Sequence, residues 1–130
     1  MTPFINTQKQ RRGLSRLYHA SRYSLSGLRY GWQEAAFRLE AGISLVLIPT
    51  AFWIGQTWSE TALLLLSLGL VMVTELLNTA VETVIDRTGM EWHALSEKAK
   101  DLGSAATLIA LMVSGTIWAT AIWHSLNSST

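Results

Sequence analysis

From Ala41 onward the chain is built of apolar runs long enough to cross a bilayer. Ala41 to Ser59 is uncharged between Glu40 and Glu60, and Leu102 to Leu126 holds no carboxylate, lysine or arginine. Between them, Thr61 to Ile85 is broken only by Glu75 and Glu82 among charged residues. A hydrocarbon core is crossed by about 20 helical residues, and every backbone group inside it must be satisfied within its own segment, so each run must be a helix. With 130 residues, 49% of them hydrophobic and 15% charged, the chain is one small membrane domain rather than a soluble one. There is no cysteine, which excludes a disulfide framework and a thiolate metal site. The first apolar run follows a long charged stretch, which is not the layout of a cleavable signal peptide.

The expected fold is therefore an all-α membrane protein. An N-terminal amphipathic surface helix at about 10–33 leads into a first span at 34–58, a second at 61–86, a cytoplasmic loop at 87–99 and a third span at 100–126. Leu14, Leu17, Tyr18, Leu25, Leu28 and Trp32 fall on one side of the surface helix, with Arg12, Arg16 and His19 opposite. Such a helix lies in the interface, its arginines near lipid or nucleotide phosphates. Pro49 and Gly55 should bend or loosen the first span. Trp53 and Trp58, and Trp118 and Trp123, read as interface anchors on one side of the membrane.

Basic residues set the orientation. Lys9, Arg11, Arg12, Arg16, Arg22, Arg29 and Arg38 precede the first span, and Arg87, Lys98 and Lys100 lie between the second and third. The 55–60 turn and the C-terminal tail have none. The N-terminus and the 86–101 loop should face the cytoplasm and the C-terminus the opposite side.

Glu75, Asn78, Glu82 and Asp86 interrupt this pattern. At about 100° per residue they share an arc of roughly 80°, a polar stripe on an apolar rod. A carboxylate in a membrane span is costly, and normally faces a protein interior or wet cavity and marks a site. Glu75 and Glu82 lie about 10 Å apart along the axis, so one can reach a group at glycerol depth while the other faces water. Phosphoryl transfer from a soluble nucleotide to a lipid hydroxyl needs that division. Lys100 and Ser104 share a face of the third span toward the stripe, with Asp101 adjacent, and Glu34 and Arg38 are paired by spacing before the first span. Magnesium prefers a few carboxylate oxygens plus phosphates and water, which suits Glu34 and Glu82. Interhelical ion pairing and interface anchoring would leave the same spacing. No P-loop, dinucleotide fingerprint, protein-kinase set, serine-hydrolase or zinc motif is present, and His19, His93 and His124 read as interface or loop residues.

Three motifs carry a resemblance. Glu34-Ala-Ala-Phe-Arg-x-Glu40, Glu75-x-x-Asn78-x-x-x-Glu82-x-x-x-Asp86-Arg87 and Ala99-Lys-Asp-x-Gly-Ser-Ala-Ala106 closely resemble the small trimeric integral-membrane diacylglycerol kinases of Gram-negative bacteria, over about Gly13 to Trp123. The resemblance implies an ATP- and magnesium-dependent inner-membrane enzyme that makes phosphatidic acid, a homotrimer with composite sites among membrane lipids, and no nucleic-acid partner. It implies Glu75 as general base, Asn78, Lys100 and Asp101 as further catalytic residues, and Glu34 and Glu82 as metal carboxylates. Nucleotide contacts would be Arg16, Tyr23, Glu34, Glu82, Glu91, Trp92, His93, Lys100 and Asp101. The lipid site would take Arg16, Arg29, Trp32, Ala36, Arg38, Glu40, Trp53, Glu75, Ser104 and Trp118. This chain departs from the family in having one residue fewer between Trp32 and Glu34, a change of phase of about 100°, and in Trp92 where tyrosine is usual. An undecaprenol kinase would keep the same stripe, and a non-enzymatic channel or assembly subunit could line a wet pore with it.

Overall fold

The computed structural model describes residues 13–89 and 91–127. Lys9, Arg11, Arg12 and the first residues of the expected surface helix lie outside them. Four helices follow in order: α1 (Leu14–Gly31), α2 (Ala35–Ile54), α3 (Trp58–Thr88) and α4 (Ala94–Asn127). The last three are long and apolar enough to cross a membrane.

The chain's punctuation explains these limits. α2 runs through Pro49 without a break, and stops at Gly55. Thr57 then caps α3, its hydroxyl accepting from the Glu60 N–H at 3.2 Å, while the Glu60 carboxylate accepts from the Gln56 N–H at 2.8 Å. This satisfies donors that a helix start otherwise leaves orphaned. α3 ends at Gly89, whose φ of 143° is strained for any side-chain-bearing residue. His93 then starts α4, its carbonyl accepting from the Ser96 and Glu97 N–H groups and its Nδ1 from Leu95 N–H at 3.2 Å. At 31 and 34 residues, α3 and α4 exceed what a bilayer covers. α4 begins at Ala94, ahead of the expected span.

α3 packs against both α2 and α4. The core lies at the Gly55 end, where Ala51, Leu64, Leu68 and Trp118 are buried together with Leu47, Ile54 and Ile117 against them. Trp118 is only 6% exposed, which corrects the expectation of an interface anchor; Trp53, Trp58 and Trp123 are exposed as anchors are. Midway along, the Ser114 hydroxyl donates to Ser67 Oγ at 3.2 Å, joining α4 to α3 with two buried polar groups. α1 is exposed along its length and buries only Gly31. Its Leu14, Leu17, Tyr18, Leu25 and Leu28 face outward, as an interfacial helix requires.

Candidate active site

The α3 stripe is graded in exposure. Glu75 is buried at 7% exposed, Asn78 and Glu82 are half-buried, and Asp86 is exposed. One helical face thus passes from the packed interior to water in just over three turns. The Asn78 amide donates to Glu82 Oε1 at 3.2 Å and fixes that carboxylate one turn further along.

α4 supplies the opposing wall. Gly103 faces Asn78 so closely that a Cβ there would collide with the amide oxygen. Glycine is what lets the two helices approach at the stripe. Thr107, one turn on, is buried beside the Glu75 carboxylate and donates to the Gly103 carbonyl at 3.5 Å. At the wet end, Lys100 Nζ meets Asp86 Oδ1 at 2.7 Å and also feels Glu82. Water screens such an exposed pair, so Lys100 can exchange Asp86 for another anion.

α2 adds two more carboxylates. Glu34 caps its start without using its side chain for the cap, and both Glu34 and Glu82 lie within electrostatic reach of Glu75. Glu40, a turn and a half into α2, also feels Glu75. Four carboxylates thus gather at one end of the bundle. Among the described residues, the Glu40 Oε2 and Asn78 Oδ1 atoms are buried without a hydrogen-bond partner. The Asn78 oxygen is the atom that meets Gly103 across the α3–α4 contact. No group of three or more His, Asp or Glu side chains among the described residues is arranged to hold a metal by itself.

Beyond the stripe opens a cleft of about 720 Å³, lined by Asp86, Glu91, Trp92, His93, Glu97, Lys100 and Asp101 among others. Trp92 Nε1 donates to Glu97 Oε2 at 3.0 Å and holds the indole at its edge. The size is that of a small-molecule site.

Several expected residues stand elsewhere. Arg16, Tyr23 and Arg29 are exposed on α1, Trp32 and Ala36 are exposed at and beyond its end, and Trp53 lies at the far end of α2, about 28 Å from Glu34 at 1.5 Å per residue. Ser104 is exposed rather than turned to the stripe; Gly103 and Thr107 take that place. Thr107 and Glu97 were missed, although Lys100, Gly103 and Thr107 recur at helical spacing, which would have found the first.

The prokaryotic diacylglycerol kinase family model matches residues 22–122, which include every stripe and cleft residue named above. The chain is 49% identical over 107 residues to the diacylglycerol kinase of Haemophilus influenzae, covering 82% of this chain and 91% of the relative. It is 45% identical over 112 residues to that of Escherichia coli K12 (85% and 92% covered), and 43% over 113 residues to that of Pseudomonas aeruginosa (86% and 92%). The chain belongs to the prokaryotic diacylglycerol kinase family. As a member of that family it is a kinase, and with three membrane-length helices and bacterial relatives it is an inner-membrane protein. Nothing favours an undecaprenol kinase or a non-enzymatic subunit.

Proposed function

We propose that this diacylglycerol kinase family member transfers the γ-phosphoryl group of ATP to the primary hydroxyl of diacylglycerol, with Glu75 as the base. The observation that carries this reading is a buried Glu75 on the same helical face as an exposed Asp86, leading into a nucleotide-sized cleft. The lipid hydroxyl oxygen attacks the γ-phosphorus, its proton passes to a Glu75 carboxylate oxygen, and the bond from the γ-phosphorus to the β–γ bridging oxygen breaks to leave ADP. Such a reaction asks a protein chiefly for positioning and charge neutralisation.

Glu34 and Glu82 would hold magnesium, which when bound neutralises phosphate charge. Two carboxylates suit a hard cation that completes its shell with phosphates and water. Asn78 steadies Glu82, while Lys100 and Asp101 face the phosphates. Glu91, Trp92 and His93 would hold the nucleotide. Arg29, Trp32, Ala36, Glu40, Trp53 and Ser104 would border the lipid, while Trp118 is packed in the core.

Arg16 and Tyr23 are exposed on α1, which supports a homotrimer in which a neighbour's surface helix completes each nucleotide and lipid site. α1, Glu34 and the 91–93 segment share the end of the molecule that carries the basic residues, which supports a cytoplasmic N-terminus and loop and a periplasmic C-terminus.

Purified protein in mixed micelles, given γ-labelled ATP, magnesium and either diacylglycerol or undecaprenol, tests the reading. Label should enter phosphatidic acid and fall away when magnesium is chelated. Label entering only the polyprenol would replace the acceptor, and no transfer to either lipid would end the reading.

A further inference from the structure

The joint between α1 and α2 turns through three residues and is held by one side chain. Past the end of α1, the Gln33 N–H donates to the Tyr30 carbonyl at 3.0 Å and the Glu34 N–H to the Gly31 carbonyl at 2.9 Å, so the last turn tightens. At Glu34 the backbone is extended, with φ −80° and ψ 133°, and α2 begins. Carbonyls beyond a helix end have no partner of their own. Here Arg38, one turn inside α2, reaches back: its Nη1 donates to the Trp32 carbonyl at 3.0 Å and the Gln33 carbonyl at 2.8 Å. A cation is well placed there by the dipole of α1 as well.

The other side of the joint is fixed by packing. Gly31 is the one residue of α1 that is buried, and a Cβ on it would come 2.6 Å from a methyl of Leu76 and 3.5 Å from the Phe37 ring. Leu76 is the neighbour of Glu75 in sequence. The elbow is thereby seated against α3 beside the buried carboxylate, with Glu34 at its apex.

We propose that Arg38 is a positioning residue: by clamping the Trp32 and Gln33 carbonyls it fixes the angle of the elbow and holds Glu34 toward the α3 stripe. Arg38 then acts through Glu34 rather than by gripping the lipid. The catalytic half of this inference rests on Glu34 as a metal-holding carboxylate; the geometric half does not.

The chain's lack of cysteine makes the test clean. Spin labels on Ser24→Cys and Thr83→Cys in nanodiscs, diluted with unlabelled protein so that only distances within one chain are read, report the elbow directly. Arg38→Gln should broaden the distance distribution and raise the magnesium concentration for half-maximal turnover by about tenfold, as expected for loss of two charge-assisted hydrogen bonds. The KM for diacylglycerol should stay within about twofold. Arg38→Lys, which can reach one carbonyl, should recover most of both. Parental distances in Arg38→Gln, or a rise in lipid KM with unchanged magnesium dependence, overturn the proposal. If Arg38→Gln does not assemble, Arg38→Lys decides alone: partial broadening supports the clamp, and parental distances with a raised lipid KM sink it. A Glu34→Gln variant with unaltered magnesium dependence removes the metal role of Glu34 and leaves the distances to judge the clamp.

Discussion

A buried carboxylate among other carboxylates is an unfavourable arrangement that the protein nonetheless holds. Glu75 sits with Glu34, Glu40 and Glu82 in reach and with Thr107 beside it. Converting it to Gln keeps the shape and removes both the charge and the proton acceptor. Turnover of Glu75→Gln should fall by about 10² to 10⁴, the usual worth of a positioned base, with nucleotide affinity held; near-parental turnover in a folded assembly would end the role. Glu34→Gln and Glu82→Gln should behave differently, raising the magnesium and ATP requirements together, because on the proposed reading these two carboxylates would hold the cation that neutralises phosphate charge. Titrating each ligand at fixed concentrations of the other separates the cases. The stripe itself was legible from residue spacing, since four polar positions on one face of an apolar run have few other meanings. Its surroundings were legible in part: the small residues Gly103, Ser104, Ala105 and Ala106 mark a close helix approach, but which of them meets Asn78 depends on helix rotation, and the structure puts Gly103 there.

At the scale of helices, hydropathy located three spans but not their inward faces. In water the apolar face of a helix is the buried one, whereas in lipid both faces are apolar and packing is decided by small residues and polar contacts. That is why Trp118 read as an anchor and is a core residue, and why the Ser67 to Ser114 bond went unseen. Gly103→Ala tests the closest approach of α3 and α4. Its methyl must displace the Asn78 side chain, breaking the bond to Glu82. Overpacking of this kind costs about 1–3 kcal/mol, so the variant should lose thermal stability and turnover together. A second change, Asn78→Ala, makes room for the methyl and should restore the stability but not the turnover. Restored stability with restored turnover would show that Asn78 is a filler only.

For the whole molecule, a single chain leaves Arg16 and Tyr23 on an exposed helix and most large apolar side chains facing outward. Sites shared between subunits would engage both. Mixing Glu75→Gln with an inactive α1 variant, Arg16→Ala, and reassembling from the unfolded state should recover a minority of parental activity, set by the chance that an intact Glu75 and an intact Arg16 from different chains meet. Mixed assemblies shown by crosslinking to be formed yet inactive would assign both residues to one chain. The uneven distribution of packing along the bundle bears on how a two-tailed substrate enters. Ala51, Leu64, Leu68 and Trp118 knit the helices at the Gly55 end, while at the other end carboxylates of α2 and α3 lie within reach of one another. The helices therefore resemble tongs whose rivet lies across the bilayer from the jaws. A lipid arriving sideways meets the acidic tips rather than the rivet, and amide exchange should be slowest at the rivet.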